Sequence, residues 1–107
     1  MRTSYDDIKK HLDAVERRVG QDRGTVSPTS PMELAEGEGG LHAVRVLRGS
    51  LAISDSLESF DELARRYQAA SEAELAGAHA EGDPEGIARH EGFRDVCRAL
   101  IGALELA

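Results

Sequence analysis

An all-α fold is predicted for this chain: a helical hairpin, a short N-terminal helix and an extended Gly/Pro-rich arm between them. Three observations predict it. Glu81-Gly82-Asp83-Pro84-Glu85 sets a helix stop directly before a helix start. Gly82 suits the left-handed residue that closes a helix, Asp83 suits a cap, and Pro84 suits a first helical position, where a backbone N–H has no partner to lose. Tyr5, Ile8, Leu12, Val15 and Val19 recur at alternating steps of three and four, an apolar helical seam. The chain has only two Tyr, two Phe and no Trp, so its core is built from Leu, Val, Ile and Ala, which suits helix-on-helix layers.

The first helix is expected over residues 4–19. Thr3 or Ser4 can cap it, Asp6 and Asp7 sit in its first turn, Arg17 and Arg18 in its last, and Gly20 ends it. A helix this short is marginal alone and must dock, either on the chain's own hairpin or on a neighbouring subunit. Residues 20–40 hold Gly20, Gly24, Pro28, Pro31, Gly37, Gly39 and Gly40 and are expected as an arm or linker. One helical turn is offered inside it, with Ser30 as cap, Pro31 first, Glu33 closing a capping box and Gly37 as the stop.

Residues 41–53 admit a brief strand at Val44-Arg45-Val46, but Leu41, Val44, Leu47 and Leu51 favour a helix, with Gly49-Ser50 marking a bend. The helical domain is therefore drawn over 41–107. From Asp55 the helical pattern is strong. Ile53, Phe60 and Tyr67 recur at seven, with Leu57 and Ala64 between. Asp55 with Glu58, or Ser59 with Glu62, offers a capping box, and the helix should run to about Ala78, with the turn at residues 80–84. The last helix should run from Pro84 to about Glu105. Its apolar residues, including Phe93, Val96, Cys97, Leu100, Ile101 and Leu104, span an arc of roughly 200°, where a surface helix shows nearer 100°. One hairpin partner cannot cover that arc. A further helix must pack there, from residues 1–19 or from another chain. Gly86 and Gly92 weaken the first half of this helix and permit a close helix crossing.

At 107 residues and 40% apolar content the chain is one domain. The formal charge of −7 argues against direct nucleic-acid binding, which needs a basic face. The charge is uneven: residues 54–82 are strongly acidic, while Arg45 and Arg48 form a short positive patch that suits register or partner orientation. The single Cys97 excludes an internal disulfide and is expected as a buried thiol. The opening Met-Arg-Thr-Ser-Tyr-Asp-Asp has no apolar segment of a secretory signal, and no run reaches membrane-spanning length, so cytoplasmic synthesis and no membrane partner are expected.

Catalytic patterns are sparse. There is no Gly-x-Ser-x-Gly, and Gly37-Glu38-Gly39-Gly40 lacks the Lys and Ser/Thr of a phosphate cradle. His79, His90 and Glu91 near the hairpin turn make a metal site imaginable. Their spacing is poor, and His90 and Glu91 are adjacent and so point to different faces. A helix-turn-helix role is opposed by Asp-Pro-Glu-Gly at the start of the second helix, acidic where phosphate would lie. No enzyme, cofactor or metal is expected.

Residues 55–107 resemble small hairpin proteins encoded among tailed-phage head and neck genes. The features are Phe60 near the start of a capped helix, the turn Gly82-Asp83-Pro84, then Gly92, Arg94 and a Leu-rich end at Leu100-Ile101-Gly102-Ala103-Leu104. The resemblance implies a virion or assembly component. The expected function is a non-enzymatic structural or assembly subunit, with Tyr5, Ile8, Leu12, Val15, Val19, Phe93, Val96 and Leu100 as interface candidates and further copies or other assembly subunits as partners. The alternative is an acidic cytoplasmic regulator, antitoxin-like or anti-defence, that blocks a basic protein partner. A metal-binding helical enzyme stands third.

Overall fold

Four helices follow one another in the computed structural model, which describes residues 5–25 and 31–105. They are α1 (Tyr5–Thr25), α2 (Pro31–Ile53), α3 (Leu57–Glu81) and α4 (Pro84–Glu105). Among the described residues there is no strand. The Thr3, Ser4 and Ser30 caps expected from the sequence lie outside the described residues.

The punctuation at the last turn works as its residues require. Gly82 takes φ 67°, ψ 39°, the left-handed region, and its N–H reaches the carbonyl of His79 at 3.2 Å. Asp83 donates its own N–H to Ala78 at 3.1 Å, and its carbonyl accepts the first α4 bond, from Ile87, at 2.9 Å. α3 runs a turn beyond Ala78, to Glu81. Its N-cap is Ser56, whose hydroxyl accepts from the Ser59 N–H at 3.1 Å. Neither expected capping box supplies the cap. Ser56 stands one residue before Leu57, where the helix begins, and a cap must sit there.

The largest departure concerns residues 20–40. Residues 20–25 continue α1, and residues 31–40 form the first part of α2, so much of the expected arm is helix. Pro31 is the first residue of α2, as its missing N–H allows, but Gly37 does not stop it. The reason lies across the fold. Gly39 and Gly92 are the points where α2 and α4 meet backbone to backbone. A Cβ on Gly39 would fall inside the radius of the Arg89 carbonyl oxygen, and one on Gly92 inside that of Glu36. Glycines that cost helix propensity locally are what let these two helices touch. The close crossing anticipated at Gly92 is present. At Gly86 a Cβ would instead meet the capping Asp83 side chain.

Residues 41–53 are helical throughout. Ile53 ends α2 and is 78% exposed, so the sevenfold spacing to Phe60 and Tyr67 does not describe one helix face. The chain breaks at Ser54–Ser56 between them.

α4 is the central element, packed between α2 and α3, which touch each other only slightly. α1 lies mainly on α2. It runs antiparallel to it: the Tyr5 phenol donates to the Ser54 carbonyl at 3.4 Å at one end, and Val19 approaches Gly40 at the other. Arg48 fixes that register, bonding Glu16 at 2.7 Å and also Asp13. α3 and α4 are antiparallel, tied outside by Arg65–Glu105 at 3.0 Å and Arg98–Glu72 at 2.9 Å. One core joins all four helices, with Leu12, Leu47, Phe60 and Leu100 essentially sealed. Each such side chain contributes about 1.5–3 kcal/mol by burial.

Candidate functional site

The eight interface candidates fall in two places. Ile8, Leu12 and Val15 are buried and Tyr5 and Val19 half-buried, all facing the chain's own core from α1. Val96 and Leu100 are buried in that core too, and Phe93 packs against its edge. The wide apolar arc of α4 is thus largely covered within one chain, with Phe93 and Leu104 half-buried. The cover is α2, whose first part the sequence pattern did not reveal as helix.

Among the described residues, the space between α2 and α3 is open. Because α4 sits between them as floor, the two outer helices stand apart and leave a groove. Its main hollow holds about 370 Å3 and is lined by Val46 of α2, Tyr67 and Ala70 of α3, and Phe93 of α4, with His42 and His90 at its edges. A separate, smaller hollow of about 210 Å3 lies near the α2–α3 turn, lined by Ile53, Ser59, Leu63 and Arg66 among others.

The floor is rigidly held. The Ser50 hydroxyl, buried on α2, lies 2.9 Å from the Val46 carbonyl and 3.1 Å from the Tyr67 hydroxyl. Serine has one proton, and a carbonyl can only accept, so Ser50 donates to Val46 and Tyr67 donates to Ser50. That bond turns the polar end of Tyr67 inward and leaves its ring as wall. Phe93 and His42 stack with ring centroids 5.5 Å apart at a 46° tilt. At the rim, His90 Nδ1 lies 3.2 Å from Glu74, and Arg89 lies 3.8 Å from Glu38. The lining is apolar and aromatic with paired charges at its edge, an arrangement that accepts apolar side chains of a partner.

The metal candidates are not assembled. His90 faces Glu74 of α3, and among the described residues no group of three His, Cys, Asp or Glu is placed to hold an ion. Cys97 is fully buried, and desolvation pushes its thiol up to about 11, which keeps it protonated and unreactive. No helix among the described residues is long and apolar enough to cross a membrane.

Of the groove residues, only Phe93 stood among the interface candidates, while His90 was named only for a metal site. The signal for α2 was present: Gly39, His42, Val46, Gly49 and Ile53 recur at three, four, three and four. It was masked because residues 20–40 read as an arm and because Leu41, Val44, Leu47 and Leu51 mark a second, core-facing register on the same helix. No protein-family model, curated protein or solved structure matches the chain, so function rests on these residues alone.

Proposed function

We propose that this protein is a non-enzymatic adaptor or assembly subunit that binds a protein partner through the groove between α2 and α3. The observation that carries the reading is the groove itself: an apolar, aromatic-floored channel left open in a molecule whose other large apolar side chains are mostly covered. Helix-lined grooves of this kind take the apolar face of an amphipathic segment. A subunit of a tailed-phage particle is its most specific form, which the resemblance of residues 55–107 implies.

The acidic-regulator reading receives less support. Asp61 on the acidic α3 face is held by Arg65 at 3.1 Å, and Glu72 by Arg98, so part of that charge is already answered within the chain. Reversing Glu58 and Asp61, which line neither hollow, should leave groove-dependent binding intact.

Ala70 gives a clean test, because it is exposed, helical and lines the groove. Ala70→Arg fills the channel with a good helix former. The expected outcome is loss of the partner in affinity capture from the source cells, with circular dichroism and melting temperature unchanged. Equal capture by both forms would reject the groove as the working surface.

A further inference from the structure

We propose that the groove is occupied by the α2 helix of a second copy of this chain, the two helices running antiparallel about a two-fold axis beside Gly49. The proposal rests on the groove being the working surface and names its partner.

The seam on α2 that walls the groove runs from Gly39 to Ile53, about 21 Å at 1.5 Å per residue. Steps of three and four are what a facing helix requires. The seam also carries both halves of a contact. Ile53 is a knob, 78% exposed and unsupported by its own chain. The hollow floored by Phe93 and walled by Val46 is a hole on the same helix. Gly49 lies between them, four residues before Ile53 and three after Val46, and is exposed with open space where a Cβ would stand. An antiparallel pair centred midway between Val46 and Ile53, beside Gly49, sets each Ile53 against the other copy's Val46. Two bare glycines at the axis let the backbones approach. A knob and a hole equally placed about one point make a closed, isologous contact with nothing left over to propagate.

Charge agrees with this occupant. Arg45 is exposed and forms no ion pair among the described residues, and Asp55 is exposed just past Ile53. The same two-fold sets Arg45 of each copy opposite Ser54 of the other, one residue from Asp55. Two copies of a chain with net charge −7 repel in general. Arg89 and Glu74 are already engaged within the chain, with Glu38 and His90, so the self-complementary charges left on this strip are Arg45 and Asp55, which offset part of that repulsion.

Sedimentation velocity over a concentration series tests the pairing with the full chain. Wild type should show a reversible monomer–dimer equilibrium. Ile53→Asp, at a site too exposed to unfold the chain, should weaken dimerisation about tenfold or more. Arg45→Asp should weaken it, and adding Asp55→Arg should restore it. Under mild oxidation Gly49→Cys should cross-link as a dimer, while Arg17→Cys on the exposed side of α1 should not. A wild type that stays monomeric at about 0.2 mM, a Kd too weak for a specific dimer, overturns the second copy as occupant. So does a dimer unaffected by Ile53→Asp. The groove reading fails separately, through Ala70→Arg leaving partner capture unchanged.

Discussion

His11 is a titratable side chain that folding places at a disadvantage when charged. Its Nε2 is buried with no hydrogen-bond partner among the described residues. Burial, and then the positive charge of Arg18, lower its pKa below 6.5. The neutral ring is therefore favoured in the fold. Well above pH 6.5 the ring is neutral in both states and adds no pH dependence to stability. As pH falls through 6.5 the unfolded chain takes the proton and the folded chain resists it, so stability drops until the folded pKa is passed. The expected outcome is that urea-unfolding free energy falls between about pH 7.5 and pH 5.5, and that His11→Gln removes part of that fall. An unchanged pH slope in His11→Gln would contradict the assignment. His11 follows Lys10 and precedes Leu12 at the flank of the apolar seam, so the sequence marked its helix but not its burial.

Between elements, the decisive contact is the glycine crossing of α2 and α4. In an isolated helix Gly→Ala gains about 1 kcal/mol. At Gly92 the new methyl would strike the Glu36 carbonyl, and overpacking of this kind costs about 1–3 kcal/mol or more because backbone must move. Gly92→Ala should therefore destabilise the protein despite better propensity. Gly77→Ala, on α3 with open space around it, should stabilise it by up to about 1 kcal/mol. Urea denaturation of the pair decides the matter: if both variants gain stability, the close crossing is not there. Helix-docking energy elsewhere comes from apolar burial more than from ions. Leu12→Ala should cost about 2–4 kcal/mol, while loss of the half-exposed Arg48 clasp on Asp13 and Glu16 should cost less than about 1 kcal/mol.

At the scale of the whole molecule, the helices form a flattened body of 40 × 32 × 23 Å with a radius of gyration of 14.2 Å. A fully compact chain of this length would have about 13 Å. The excess fits a layer in which α4 is central and α2 and α3 splay on either side of it. α1 is the most detachable element, since it rests on α2 with only marginal contact to α4. Native-state hydrogen exchange should show it: α1 amides exchange by a lower-energy opening than those of α4, whose protection approaches that of global unfolding. Equal protection of the two helices would mean that α1 is integral to one cooperative unit. If two copies pair through α2, protection should also rise with protein concentration around residues 42–53, because binding stabilises the bound state by mass action.

The sequence by itself determined the helical class, the turn at Gly82-Asp83-Pro84 and the apolar face of α1, because each is written in neighbouring residues. A left-handed glycine, a cap and a proline at a first position act within one turn of helix, and a seam of three and four needs only its own helix to be read. Tertiary structure alone decided that the helical turn offered at Pro31 runs on through residues 37–40, that α4 is covered by α2, and that Ile53 ends up in the open. Gly37, Gly39 and Gly40 count against a helix when weighed locally. They count for one only when the Arg89 carbonyl is known to lie where a Cβ would have been, and that contact joins residues half the chain apart.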